Sequence, residues 1–281
     1  MTRCGMEIIT TVTSLRNRLR QQPSIAFVPT MGSLHDGHLA LIHAAQQKSD
    51  FVVASIFVNR LQFLPTEDFD TYPRTLEEDC DLLQSHNVDI VFAPGEKDLY
   101  PVPQEFLVEP PGIANILEGE FRPGFFRGVT TVVLKLFNIV APQATVFGKK
   151  DYQQLHILRE MARQLNLPIE ILAVDTVRAP DGLALSSRNR YLASEERREA
   201  PRLYQTLLQL AQKIRDGNTD FSGLEKNAIA ILNSHGWKVD YVAVRQQQTF
   251  ASARVGGEQM VVLGAARLGR TRLIDSVEVQ P

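Results

Sequence analysis

Ile25-Ala26-Phe27-Val28-Pro29-Thr30-Met31-Gly32-Ser33-Leu34-His35-Asp36-Gly37-His38 is the stretch that decides the fold. Ile25–Val28 reads as a buried strand, and from Asp36 to about Gln47 a helical pattern takes over. Between them a proline and a glycine break the chain. A strand that passes through such a turn into a helix is the building unit of a parallel α/β sheet. Gly32 and Gly37 let backbone approach a ligand closely, and the unpaired N–H groups of a helix start favour phosphate. His35 and His38 stand three apart, so on a first helical turn both rings can face one phosphate. A His-x-Gly-His string alone is as easily two surface histidines beside a tight turn. The strand before it and the helix after it supply the context that a phosphate site needs.

Outward from this stretch, apolar runs alternate with helical patterns. Phe51–Val58 reads as a second buried strand. Thr75 followed three residues later by Glu78 is a capping-box signature for a helix to about Gln84. Val88–Phe92 is a strand and Val129–Val140 a helix with an apolar face. Ala144–Phe147 is a strand, Asp151–Leu165 a helix opened by Asp151 as its N-cap, and Ile169–Val177 a further strand. This alternation predicts an α/β fold, a Rossmann-like parallel sheet with helices on both faces, which binds ligands at the carboxyl ends of its strands. Pro94 to Pro123, rich in proline and glycine, reads as a long loop over the sheet. Past Arg178 the texture changes. A charged helix over Glu195–Gln212, a polar stretch at Gly217–Asn218, another helix, and strands at Lys238–Val244, Gln259–Gly264 and Leu273–Val279 predict a smaller α+β C-terminal domain. The expected division is 1–176 for the catalytic domain and 177–281 for a lid.

Composition narrows the class. A chain of 281 residues, 44% hydrophobic, can bury a core that needs neither disulfide nor structural metal. A net charge of -2 gives no electrostatic footprint for nucleic acid. Cys4 and Cys80 lie far apart with no C-x-x-C and no histidine cluster, which reads as two reduced thiols of a cytosolic protein. The amino-terminal stretch has neither the apolar core nor the cleavage site of a signal peptide, and Phe51–Val58, the longest apolar run, is too short for a bilayer. A cytoplasmic location is expected.

Two further stretches carry candidate chemistry. Gly148-Lys149-Lys150-Asp151-Tyr152-Gln153-Gln154 sits at a strand end and helix start, where Lys149 or Lys150 can reach a phosphate; alone, it is a solvated lysine pair. Leu185-Ser186-Ser187-Arg188 places two hydroxyls and a guanidinium after the turn Pro180-Asp181-Gly182, a combination used to clamp phosphate and also found in ordinary polar loops. Gln62 and Gln154 are neutral amides, suited to the hydroxyls and carboxylate of a small acid. Together in one chain these stretches outweigh their bland readings. No Gly-x-Ser-x-Gly elbow supports a serine hydrolase.

The His-x-Gly-His turn resembles the signature of the nucleotidyltransferase superfamily that includes the class I aminoacyl-tRNA synthetases. The longer string PTMGSLHDGH resembles the pantothenate synthetase (pantoate–β-alanine ligase) family. Four more segments resemble it in order: Ser55–Phe63, Tyr72–Thr75, Gly148–Gln154 and Leu185–Asn189, the last a counterpart of the synthetases' mobile lysine loop. Two positions depart from the family pattern, Arg60 where Pro is usual and Phe125 where His is common.

The resemblance implies ATP-dependent condensation of (R)-pantoate with β-alanine to pantothenate, a step towards coenzyme A. The route runs through an enzyme-bound pantoyl adenylate and releases AMP and pyrophosphate. It implies His38, His35 and Lys150 as catalytic residues. ATP would be held by Met31, Gly32, Ser33, Leu34, His35, Asp36, Gly37 and His38, by Gly148, Lys149, Lys150 and Asp151, and by Val177, Leu185, Ser186, Ser187 and Arg188. Pantoate would meet Gln62, Gln154 and Asn59. Mg²⁺ would accompany ATP with few protein ligands, Asp79 no more than a weak one, and with no dedicated metal site. A homodimer is implied, without nucleic acid or membrane partners. The alternatives are another transferase of the superfamily, which would want basic residues where Gln62 and Gln154 stand, and a catalytically dead nucleotide-binding module, which would have lost a histidine or Lys150.

Overall fold

Six short segments before Asp175, most of them dense in β-branched and aromatic residues, form one wholly parallel sheet in the computed structural model, which describes residues 5–254 and 259–280. Cys4 lies outside the described residues. In chain order the elements are β1 (Glu7–Ile9), α1 (Val12–Leu19), β2 (Ala26–Thr30), α2 (Asp36–Lys48), β3 (Val52–Ile56), α3 (Leu76–Ser85), β4 (Ile90–Phe92), α4 (Glu96–Leu99), α5 (Glu118–Phe121), α6 (Phe125–Val140), β5 (Ala144–Gly148), α7 (Tyr152–Gln164) and β6 (Glu170–Val174). The strand order is β1-β4-β3-β2-β5-β6. It reverses at β2, with β3 and β4 to one side and β5 and β6 to the other. The carboxyl ends of β2 and β5 therefore flank the switch point where such sheets take their ligands.

Period-two burial shows why the sheet needs cover on both faces. Ala26, Val28, Val52, Ala54, Val91 and Val146 pack with Ile42 and Ala45 of α2 and with Cys80 and Leu83 of α3. The alternate residues Phe27, Val53, Ile90 and Phe92 point the other way and are equally inaccessible. Burial, reinforced by the carboxylates of Asp79 and Asp81, pushes the Cys80 thiol pKa up, so it behaves as a core residue.

By internal packing the chain forms two compact units. One runs to Gly148 and takes in Ile157–Val174; the other comprises Lys149–His156 and the residues from Asp175 onward. The second unit holds α8 (Ser194–Glu199), α9 (Arg202–Arg215), α10 (Phe221–Ser234) and an antiparallel sheet of β7 (Lys238–Gln246), β8 (Met260–Leu268) and β9 (Thr271–Val279) in that order. Leu203, Leu207 and Leu210 of α9 and Leu224, Ala228 and Leu232 of α10 bury against Val242, Val244, Val262 and Ala266 of the sheet.

Several expectations are corrected. Thr75 makes no side-chain cap to α3; its hydroxyl donates instead to Asp79 Oδ2 at 3.1 Å. The stretch Pro94–Pro123 is not one loop: it contains α4, a 3₁₀ turn at Gly112–Asn115 and α5. The helix expected over Glu195–Gln212 is two, α8 and α9, because Pro201 has no N–H to carry a helix across the junction. α6 begins four residues before the expected Val129, directly after Gly124 in the left-handed region (φ 82°). Asp151 lies in a 3₁₀ turn, Lys149–Asp151, and α7 opens at Tyr152. β1 and α1 were not foreseen.

Candidate active site

The turn between β2 and α2 is built from side chains that serve backbone. Thr30 Oγ1 donates to the Ser55 carbonyl at 2.7 Å and accepts from Gly32 N at 3.2 Å. Gly32 (φ 80°) and Ser33 (φ 52°) both occupy the left-handed region, and at Gly32 a Cβ would come within 2.9 Å of Asp79 Oδ2. Asp79, 3% exposed on α3, accepts from Ser33 N at 2.9 Å and from Leu34 N at 2.7 Å. Its two oxygens thus hold the strained corner of the turn.

The helix start is capped by the histidines themselves. His35, the N-cap residue, accepts at Nδ1 from Gly37 N at 3.1 Å, and His38 Nδ1 accepts from His35 N at 3.2 Å. A ring nitrogen that accepts carries no hydrogen, so each neutral imidazole bears its N–H on Nε2. The rings lie 4.2 Å apart between centroids and are tilted by 42°. Two oriented N–H donors beside a helix N-terminus form an arrangement for anionic oxygen.

At the end of β3, Asn59 leads into a 3₁₀ turn, Arg60–Gln62. Asn59 is 1% exposed. Its Nδ2 donates to Gln62 Oε1 at 3.0 Å and to the Gly128 carbonyl at 3.2 Å, while its Oδ1 accepts from the Tyr100 hydroxyl at 2.9 Å. Gln62 Nε2 lies 3.2 Å from Met31 Sδ, tying this turn to the β2–α2 turn. Gly128 is required for close approach, because a Cβ there would stand 2.1 Å from the Leu61 carbonyl oxygen. Arg122 fixes the same backbone: it donates to the Gln62 carbonyl at 3.2 Å and bidentately to Glu67 at 2.6 and 3.0 Å. Phe125 lies beneath the Arg122 guanidinium, 3.6 Å from its ring centroid, and Arg60 stacks on Phe69 at 3.8 Å and pairs with Glu96. Both departures from the family pattern thus have partners of their own.

In the second unit the two lysines differ in their partners. Lys149 Nζ sits 2.7 Å from both Asp175 and Glu278; burial opposes its charge, but the hydrogen bonds to these carboxylates hold its pKa above the usual lysine value. Its carbonyl accepts from Ser276 Oγ at 2.8 Å, and Tyr152 donates to Glu278 at 2.9 Å. Lys149 thereby fastens the 3₁₀ turn to β9. Lys150 makes no salt bridge among the described residues. Gln154 is half-buried on the first turn of α7, next to the buried Gln153.

Val177–Leu185, which contains the turn Pro180-Asp181-Gly182, is a hydrogen-bonded hairpin. Leu185 N donates to the Val177 carbonyl, Arg178 bridges to Ala184, and the turn closes on Gly182 (φ 94°). Arg178 grips Asp275 bidentately at 2.6 and 2.8 Å and stacks on Tyr204 at 3.5 Å. Beyond the hairpin, Ser186 Oγ accepts from Arg188 N at 3.3 Å and caps a 3₁₀ turn, Ser187–Tyr191. Ser186, Ser187 and Arg188 are all half-buried.

The predicted residues thus fall into two groups. Met31–His38, Asn59 and Gln62 lie in the first unit; Lys149–Asp151, Gln154, Val177 and Leu185–Arg188 lie in the second; Gly148 ends β5. Sequence reasoning missed Tyr100 and gave Arg122 no role. It also took Asp79 as a metal candidate, whereas its oxygens are already occupied by Ser33 N, Leu34 N and the Thr75 hydroxyl. Among the described residues no group of three or more His, Cys, Asp or Glu is arranged to hold a metal ion, and no helix is long and apolar enough to cross a membrane.

A family model described as pantoate-beta-alanine ligase matches residues 7–278. A pantothenate synthetase of Nitrosospira multiformis is 67% identical over 276 residues, covering 98% of this chain and 99% of the relative. One of Neisseria meningitidis is 56% identical over the same shares. Among solved structures, the pantothenate synthetase of Thermus thermophilus superposes with a TM-score of 0.93 at 44% identity, covering 98% of this chain and 100% of that one. The pantoate-beta-alanine ligase of Francisella tularensis, complexed with beta-gamma ATP and beta-alanine, gives 0.76 at 38% identity, covering 97% of each.

Proposed function

The chain belongs to the pantoate–beta-alanine ligase family, and we propose that it condenses pantoate with β-alanine through an enzyme-held pantoyl adenylate. Pantoate's carboxylate attacks the α-phosphorus of ATP, the bond to pyrophosphate breaks, and β-alanine's amine then displaces AMP from the activated carbonyl. The first step crowds a carboxylate against a triphosphate, so it depends on donors already aimed at the phosphates rather than on a protein nucleophile.

The observation that carries this reading is the mutual capping of His35 and His38. With both Nδ1 atoms accepting backbone N–H, each ring carries its hydrogen on Nε2, in a direction that the backbone sets. We assign both to phosphate oxygens, with His38 at the centre of charge development. Lys150, which forms no salt bridge among the described residues, takes the phosphate role, and Lys149 holds the turn that carries it. Ser186, Ser187 and Arg188 clamp the nucleotide. Gln62 and Gln154 select pantoate by neutral hydrogen bonds, and Asn59 positions Gln62. Mg²⁺ comes with ATP as its counter-ion. Asp79 does not suit it, because both its oxygens accept N–H bonds, and no step is routed through a protein-held metal. A homodimer in the cytoplasm belongs to the same reading.

Incubation with ATP, pantoate and β-alanine should form pantothenate and AMP together, one for one. Omitting either pantoate or β-alanine should abolish pantothenate. AMP formation that continued unchanged with another acid in place of pantoate would favour a different transferase.

A further inference from the structure

The carboxamide of Gln62 can be placed in two ways that differ only in whether oxygen or nitrogen faces inward. Its surroundings leave one. Asn59 Nδ2 lies 3.2 Å from the Gly128 carbonyl, a group that can only accept, so Asn59 must turn its NH₂ that way. Asn59 Oδ1 then receives the Tyr100 hydroxyl hydrogen at 2.9 Å. The remaining N–H of Asn59 points at Gln62 Oε1, 3.0 Å away, so Gln62 shows its oxygen to Asn59 and its NH₂ to the far side. Inverting Asn59 would set its oxygen against the Gly128 carbonyl, and inverting Gln62 would set NH₂ against NH₂. Tyr100 is itself held, packed against Phe57 with centroids 5.9 Å apart and carrying the Lys135 ammonium 4.6 Å above its ring centre. Burial, with Glu96 nearby, pushes its pKa well above the usual tyrosine value, so the hydroxyl stays a donor.

We propose that Tyr100 is a positioning residue which, through Asn59, fixes Gln62 as a hydrogen-bond donor towards the oxygens of the acid substrate. The proposal rests on the reading of pantoate as that acid. Without the Tyr100 hydroxyl, Asn59 Oδ1 is left buried with no donor. The Asn59 amide is then held only on its NH₂ side, by the Gly128 carbonyl and Gln62, and it shifts towards another donor, loosening the partner that orients Gln62.

The test is a double-mutant cycle in the full-length enzyme, with wild type, Tyr100→Phe, Gln62→Ala and the double variant. Tyr100→Phe should raise KM for pantoate by about tenfold, the weight of one hydrogen bond, and leave KM for ATP and β-alanine within about twofold. In the Gln62→Ala background the same substitution should cost less than about twofold, because its effect passes through Gln62. Equal costs in both backgrounds, or a rise in all three KM values together, would overturn the relay. If Tyr100→Phe does not fold, Asn59→Ser is the substitute: its short hydroxyl cannot bridge to Gln62, and it should give the same pantoate-specific loss. A second readout needs no substrate. The Asn59 carboxamide protons should exchange slowly by NMR in wild type and at least about tenfold faster in Tyr100→Phe, the same one-bond weight; fast exchange in wild type would overturn the relay even if pantoate proved to be the wrong acid. A wild type that ligates without preference for pantoate, but with slow Asn59 exchange lost in the variant, would fault the substrate reading alone.

Discussion

Asp79 shows how one side chain can set the geometry of residues that it does not resemble. Its carboxylate takes two adjacent backbone N–H groups, Ser33 and Leu34, in a corner where Gly32 and Ser33 both hold positive φ. A left-handed pair of that kind persists only where its surroundings determine it. Asparagine in its place can accept with one oxygen, but its NH₂ then meets the other N–H donor head-on. Asp79→Asn should therefore cost about 1–3 kcal/mol of stability, the range for leaving a buried donor unsatisfied. Thermal or urea unfolding of the variant measures it, and an unchanged midpoint would show that the corner holds without the carboxylate.

At the scale of elements, the approach of α6 to the 3₁₀ turn at Arg60–Gln62 sets where Asn59 and Gln62 stand. Gly128 permits that approach, and its carbonyl orients Asn59. In Gly128→Ala the new methyl would overlap the Leu61 carbonyl and the Gln62 amide nitrogen, both backbone, so the helix must back away. Overpacking of this kind costs about 1–3 kcal/mol, or roughly 2–12 °C in Tm for a chain of this size. Pantoate binding should weaken more than ATP binding, and calorimetric titration of each separates the two. Equal weakening would argue against this link. The elements themselves were largely legible. Short apolar runs marked β2 to β6 and a helical pattern marked α2, while α3 and α7 were placed by cap signatures at Thr75 and Asp151 that do not form as read. β1, three residues long, and α1, which buries only Leu15 and Leu19 among polar neighbours, carry too little pattern to stand out. The α8–α9 break was written plainly in Pro201 and obscured by the continuous charge around it.

Across the whole molecule, motif residues were visible in the sequence, and the residues that hold them were not. The string Pro29–His38 announced a tight turn from strand to helix because its chemistry is local. The support from Asp79, Tyr100 and Arg122 comes from 41 to 60 positions away along the chain, a separation at which no periodicity or spacing connects two residues. The same holds for Lys149, whose hydrogen bond to Glu278 spans 129 positions. What unites these parts is a claim about chemistry: that an acid is activated as an acyl adenylate before any amine takes part. Exchange of labelled pyrophosphate into ATP, with β-alanine left out, tests that claim directly. The wild-type enzyme should exchange label only when pantoate is present, and His38→Ala should reduce the rate by at least ~10²-fold, the scale of losing one donor to developing charge. Exchange that ignored pantoate, or ligation that proceeded with no pantoate-dependent exchange at all, would contradict the adenylate route.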